Sequence, residues 1–442
     1  MLSCFRSLRQ ISISSVRSPF VIFIVFVSLA TVAQPRTDAF LVNLLQHNPD
    51  SLFQHVIARP EIYRYQFIYT QINRDKSNNP TLTNYYYRFD SLQYFNPAST
   101  VKLPLAILSL EKLHSLEKFG VDMNTPVLID SSYSGQTSMH SDSTAEDGLP
   151  SMGHFIKKVF LISDNVAYNR MYEFLGQQTI NRRLHALGYS DLRITRRFVR
   201  MTEEENRYTN GMRFIGNDGR FLYTQPPAYN SDAFDFNHIH KMGTAHYAND
   251  SLIDAPIDFT KANNVTLLHL QQLLQSILFP KSVDKKKRFK ISGEDYRFLY
   301  RFLSQYPSET NYPKYDSTVY FDSYVKFFFQ AGGRKLPDHI RVFNKAGWAY
   351  GCMTDVSYIV DFKNNVEFML TATIYVNSDG IMNDDKYDYN TIGLPFLYQL
   401  GQLFYRFELR RSKRYPSDLS RFRMEYTKQG NDGRPSIKEA DN

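Results

Sequence analysis

The sequence holds only two cysteines in 442 residues, and one of them, Cys4, lies ahead of a long apolar run. Cys352 is then left without an intrachain partner, which excludes a disulfide framework and a cysteine-built metal centre. Tryptophan is scarce too, one residue against 31 tyrosines and 34 phenylalanines, so the aromatic content belongs to strands and helix faces rich in Tyr and Phe. No internal repeat is visible, which argues against a repeat architecture. With 43% hydrophobic residues the chain is not of the disordered class. Acidic residues are missing from the first thirty-odd positions, where Arg6, Arg9 and Arg17 precede "FVIFIVFVSLATVA". That pattern reads as a signal peptide over residues 1–33, ending near Ala33, with an uncleaved anchor helix as the alternative. Either reading predicts export, to the periplasm or beyond, with membrane contact only if the segment is kept. Removing it takes three arginines from a net charge of +8, leaving +5. That excess is too dilute for a nucleic-acid partner. "KKKRFK" at 285–290 and "RRSKR" at 410–414 read as a solvated loop and the frayed end of a last helix.

Turn residues and periodicity divide the rest. Short helices are expected over 38–57, broken at "HNPD". Antiparallel strands are expected at 62–72 and 83–92, and a helix from near Ser99. The chain then reads as mostly helical to about 190, with 151–176 its strongest amphipathic part and Gly176 or Gly188 as stops. Residues 195–265 are rich in Gly, Pro, Asn and Asp and read as a long ordered loop or hairpin insertion, about 208–262. Helices follow at 266–279 and 293–306, then three strands in "DHIRVFNKAGW", "TDVSYIVDF" and "EFMLTATIYVN". A helix at 391–409 and a basic polar tail, 411–442, close the chain. Strands at both ends with helices between imply an α+β fold. Its antiparallel sheet comes from both chain ends and packs with helices, beside a helical lobe over about 115–310 with a cleft at the junction. The catalytic domain is expected over 38–410.

"YFNPASTVKLPLAILSLEKL", residues 94–113, poses the functional question: whether Ser99 only starts a helix or also carries chemistry. Asn96 and Pro97 suit a helix start, and Pro104 predicts a gentle kink. Ser-x-x-Lys also occurs at Ser109–Lys112, Ser115–Lys118 and Ser323–Lys326, so the tetrad alone decides nothing. Ser163-Asp164-Asn165 and Lys345-Ala346-Gly347 follow it in order, the second on an expected strand. A serine hydroxyl needs a neighbouring base to become a nucleophile. Lys102, three residues on, shares its face, and a lysine in a dry cleft beside another cation loses its proton near neutral pH. Lys345 supplies that cation and attracts an anionic substrate. Ser99 near a helix N-terminus turns its amide toward a developing oxyanion.

The order Ser-x-x-Lys, Ser-Asp-Asn, Lys-x-Gly resembles the serine β-lactamase and penicillin-recognising superfamily, class A most closely. The resemblance is carried by "PASTVKLPLAILSL", "LISDNVAYN" and "NKAGWAYGCMTDVSYIVD" and extends, through element order, over about 40–405. It implies Ser99 as nucleophile, Lys102 as base and Ser163 as proton relay to the leaving nitrogen. It gives substrate binding to Asn165, Lys345 and Gly347, with Trp348 as second oxyanion donor. Asp164 reads as a buried structural carboxylate. No cofactor is implied, and the partner is a small β-lactam or a cell-wall-peptide-like substrate.

Two departures qualify the match. Ala346 stands where the family carries Thr or Ser, which removes a hydroxyl worth about 1.5–3 kcal/mol to a bound carboxylate. The Glu-x-x-Leu-Asn segment that activates deacylating water is missing. The nearest candidates are Glu203, Glu204 and Glu205 before Asn206, of which at most one would serve; solvated loop carboxylates are the equal alternative. His238, His240 and His246 in the insertion suggest a metal, but without a fourth ligand they read as ordinary loop histidines. Three functions follow. The first is a β-lactam hydrolase acting through acyl-Ser99; the second is the same chemistry on a D-Ala-D-Ala end or another amide or ester. The third is an inert scaffold, which would need none of these side chains.

Overall fold

The computed structural model describes residues 35–133, 135–430 and 433–439. The signal peptide expected over residues 1–33 lies outside the described residues. No helix among the described residues is long and apolar enough to cross a membrane.

Alternating side chains in "QFIYTQINR" build the centre of the fold. Strand β1 (Gln66–Arg74) pairs antiparallel with β2 (Pro80–Tyr87), with Phe67 opposite Tyr87 and Arg74 opposite Pro80. β1 begins later than expected because Ile62 and Tyr63 end a short helix, Pro60–Tyr63. Arg64 then turns the chain with a φ of 42°. The other three strands are β3 (Ile340–Ala349), β4 (Cys352–Asp361) and β5 (Val366–Tyr375). β5 pairs with β1, so the sheet order is β3-β4-β5-β1-β2 and the two chain ends meet at its middle. β3 is left as a free edge.

Side-chain alternation sends β1 to two cores. Phe67 and Tyr69 face helices α1 (Ala39–Gln46) and α2 (Ser51–Ile57) and the last long helix, while Ile68 and Ile72 face the helical middle. β4 is buried along its whole length, as a strand covered on both faces must be.

The middle contains α3 (Lys102–Leu116), α4 (Met152–Leu161), α5 (Asn165–Leu175), α6 (Gln177–Ala186), α7 (Leu267–Leu278) and α8 (Gly293–Ser304). α9 (Leu394–Arg410) closes the fold, stacking Phe404 on Tyr69 with ring centroids 4.5 Å apart. The architecture is α+β, as expected. Residues 120–150 correct the helical reading: they hold one short strand, Val127–Ile129, and are otherwise irregular. The amphipathic stretch 151–176 is two helices, because Ser163 takes a φ of 67° between α4 and α5. Asp164 caps α5 by accepting from the Ala167 N–H at 2.7 Å. It also pairs with the buried Lys158 at 3.6 Å, so it is the structural carboxylate expected. Pro104 needs no kink, since α3 starts at Lys102 and places it in the first turn, where an amide has no helical partner anyway. The insertion folds into short hairpins, including Met212–Ile215 with Phe221–Gln225 and Ala245–Ala248 with Ser251–Ile253.

The frayed end expected after α9 is also corrected. Arg411 donates to the Asn73 side chain at 2.6 Å and the Ile72 carbonyl at 3.0 Å. The chain then delivers Leu419 and Phe422 into the core, where Phe422 meets Tyr358 at 4.9 Å and Phe343 at 5.4 Å. Phe422→Ala is therefore expected to cost about 3–5 kcal/mol in urea unfolding. A loss below about 1 kcal/mol would mean that this segment does not stabilise the fold.

Candidate active site

Ser99 sits on a single tight turn, Ala98–Val101, immediately ahead of α3 rather than on it. Asn96 shapes that turn by accepting from the Ala98 N–H at 2.9 Å. Ala98 itself adopts a φ of 43°, a left-handed backbone that is costly for a residue with a Cβ. Lys102, one turn on, is wholly buried and donates to Ser99 Oγ at 2.8 Å. It also reaches Asn165 Oδ1 at 2.7 Å, Ser163 Oγ at 3.2 Å and the Ser163 carbonyl. The break between α4 and α5 is what turns this carbonyl and hydroxyl toward Lys102.

Lys345 comes from β3, the free edge. Its Nζ donates to Ser163 Oγ at 2.9 Å and to the Ala346 carbonyl at 2.5 Å. One serine hydroxyl thus stands between two buried lysines. Burial and the neighbouring Lys345 charge hold Lys102 well below the ordinary lysine range, against a smaller opposing pull from Asp164. Burial brings Lys345 to about 7, with Asp355 raising it and Lys326 lowering it. Lys326 is also wholly buried, but it donates to the Leu303 and Val342 carbonyls and Asn344 Oδ1. Ser323 bonds to the Gly333 carbonyl instead, so that Ser-x-x-Lys is structural.

Gly347 is required by the close approach of the strand. A Cβ there would lie 2.6 Å from the Ser99 nitrogen and 2.8 Å from that of Thr100. Beyond it, Tyr350 and Gly351 form a two-residue turn with φ of 51° and 76°, pairing Ala349 with Cys352. The next pair, Trp348 with Met353, is then of the kind whose amides point away from each other. Trp348 therefore aims its N–H off the free edge, beside the Ser99 amide.

A cavity of about 940 Å³ opens over Ser99 and Asn165, with Trp348 and Tyr350 on one wall. Arg196, Phe198, Val199 and Arg200 form another wall, and the 245–253 hairpin contributes Tyr247, Asn249 and Asp250. Phe198 is fixed by its N–H, which bonds Asn169 Oδ1 at 2.8 Å, and its ring lies 5.0 Å from Lys102 Nζ.

The structure thus brings Ser99, Lys102, Ser163, Asn165, Lys345, Gly347 and Trp348 together. It does not bring the acidic trio, and that expectation is corrected. Glu203 is exposed and paired with Lys261 at 3.0 Å, lining a separate, smaller cavity. Glu204 is exposed beside Tyr229. Glu205 folds back onto Thr202, accepting from its N–H at 2.7 Å and its hydroxyl at 2.8 Å. The loop carries its carboxylates outward because the preceding "RRFVR" faces the cavity instead. Among the described residues, Asp250 is the one carboxylate on the Ser99 cavity wall, exposed at a hairpin turn. The sequence reading missed Arg196, Phe198 and Arg200, although the basic, apolar run itself was visible.

The histidines of the insertion have other duties. His240 stacks on Tyr94 at 4.6 Å, and His246 bonds the Ala255 carbonyl. No group of three or more metal-ligating side chains occurs among the described residues.

Residues 65–219 match the model of the Beta-lactamase enzyme family. This segment is β-lactamase-like. It includes Ser99, Lys102, Ser163 and Asn165, while Lys345 to Trp348 lie beyond it. Most of the chain is also similar to solved β-lactamases. One from Burkholderia ambifaria shares 13% identity over 85% of this chain and 100% of its own, with a TM-score of 0.45. A class A enzyme representing the last common ancestor of Gram-negative bacteria shares 15% over 80% and 100%, at 0.45. One from Desulfarculus baarsii shares 14% over 80% and 97%, at 0.44. No curated protein matches the chain.

Ala346 is buried, has no side-chain hydroxyl, and its carbonyl is already taken by Lys345. Two outcomes are expected of Ser99 acylation by a reactive acyl donor. Gly347→Ala slows it by about two orders of magnitude or more, since the added Cβ displaces the Ser99 amide; mass-spectrometric rates on the folded variant check this. The second-order rate falls as pH rises above about 7, because Lys345 loses its charge there. Lys345→Arg, which keeps its charge, moves the falling limb upward; an unmoved limb would show that Lys345 does not set it.

Proposed function

We propose that the chain is an exported serine hydrolase that opens a β-lactam amide through an acyl-Ser99 intermediate. The reading rests on the contact between Ser99 Oγ and a buried Lys102, which shares Ser163 with Lys345. Neutral Lys102 accepts the Ser99 proton as Oγ bonds to the substrate carbonyl carbon. The oxyanion forms against the Ser99 and Trp348 amides. The proton passes through Ser163 to the substrate nitrogen as the C–N bond breaks. Lys345 attracts the substrate carboxylate, and Asn165 the amide side chain. Export is drawn from the basic and then apolar N-terminal sequence.

One observation favours a slower variant of this chemistry. Class A hydrolysis of the acyl-enzyme needs a carboxylate to activate water, and the loop wall here offers Phe198, Val199 and Arg200. A penicillin-binding or D-Ala-D-Ala peptidase-like protein, with weak lactamase activity, is the second reading.

Intact-protein mass spectrometry after mixing with benzylpenicillin, beside a Ser99→Ala control, tests both. A Ser99 adduct that persists for minutes to hours is the expected result, and glutamine at 203, 204 and 205 together leaves its lifetime unchanged. A transient adduct with rapid loss of penicillin would mean that another group activates water. No adduct on Ser99 would contradict the proposed chemistry.

A further inference from the structure

The cavity over Ser99 carries more positive charge than the acyl-serine reaction uses. Lys102 and Lys345 are both committed to Ser163. Arg197 is committed as well: it is buried, donates to the Tyr208 carbonyl at 2.6 Å and lies 3.5 Å from Glu173. Its two cavity neighbours differ. Arg196 and Arg200 are exposed on the cavity wall, and neither guanidinium makes a hydrogen bond or ion pair among the described residues.

An exposed arginine is ordinarily just solvated, so position and anchoring must distinguish this pair. The backbone beneath them is fixed. Asn263 Oδ1 accepts from the Thr195 N–H at 2.8 Å and the Arg196 N–H at 3.1 Å, and Asn169 holds Phe198. Arg196 also borders the second cavity, of about 450 Å³, which shares Phe259, Ala262 and Tyr350 with the first. It therefore stands where the two cavities adjoin. Opposing charge on the Ser99 wall is limited to Asp250. A planar guanidinium with free donors suits a carboxylate.

We infer that Arg196 and Arg200 form an anion subsite in the Ser99 cavity, which selects acyl donors carrying a second carboxylate besides the one attracted by Lys345. The inference deepens the acyl-serine reading and rests on it. Binding energy from this remote group favours encounter and orientation without touching the reacting atoms.

Benzylpenicillin and carbenicillin differ by one carboxylate on the side chain, which makes them the probes. Ser99 acylation rates are measured for the wild type, an Arg196→Gln/Arg200→Gln double variant and an Arg196→Lys/Arg200→Lys double variant. The wild type is expected to favour carbenicillin by about fivefold or more at low salt. The glutamine variant and high salt bring the ratio toward one, and the lysine variant keeps most of it. A ratio near one in the wild type, or one unmoved by the glutamine pair, overturns the inference. Calorimetric binding of both probes to the Ser99→Ala protein separates the two claims. If neither probe acylates Ser99 yet carbenicillin binds tighter by a similar factor, the reaction fails and the subsite stands. Equal binding, or none, removes the subsite.

Discussion

Two lysine side chains are buried around a single serine hydroxyl, and much of the fold around the site serves to make that tolerable. An isolated ammonium in the interior is costly, and two side by side more so. Lys102 is compensated by oxygens from Ser99, Ser163 and Asn165, and Lys345 by Ser163 and Ala346. Supplying those oxygens requires a helix broken at Ser163, a strained Ala98, and a strand at its closest approach on Gly347. The same crowding, burial together with the charge of Lys345, weakens the hold of Lys102 on its proton, which suits it to act as the base in the proposed chemistry.

Much of this was legible in the residues. Alternation in "QFIYTQINR" and the three late strands gave a sheet from both chain ends, because strand periodicity depends only on neighbours two apart. The spacing of three between Ser99 and Lys102 implies proximity on any helical turn, so that contact survives the correction from α-helix to a tighter turn. The break at Ser163 was less visible, since "FLISDNVAY" is amphipathic on both sides and nothing local shows that its serine adopts a left-handed backbone. Loop direction was the least legible. Which of "RRFVR" and "EEEN" faces the site depends on Asn169 and Asn263, residues 29 and 68 positions from the amides they hold, which pin the loop. The packed 419–422 segment was hidden for a related reason, as Phe422 sits between arginines and its aromatic partners Phe343 and Tyr358 lie far off in sequence.

The chemistry follows from which groups face each other. The cavity exposes Ser99, with the buried Lys102 and Ser163 hydrogen-bonded behind it, the assembly on which the proposed acyl-serine chemistry rests. The wall formed by residues 196–200 is apolar and basic, with the Phe198 ring 5.0 Å from Lys102 Nζ. Residues 196–200 on that wall supply no carboxylate of their own to activate water. In the proposed chemistry, acylation and deacylation therefore draw on different residues: the first on those that the motifs mark, the second on a loop whose direction the motifs do not specify.

The central claim is that burial and the neighbouring Lys345 charge hold Lys102 well below the ordinary lysine range in the resting protein. NMR titration of protein carrying 13C,15N-labelled lysine measures this directly, with the Lys102 resonance assigned through a Lys102→Arg variant. The account predicts a Lys102 pKa well below the ordinary value of about 10.4, rising when Lys345 is replaced by Met. A Lys102 that titrates near 10 in the folded protein would contradict it.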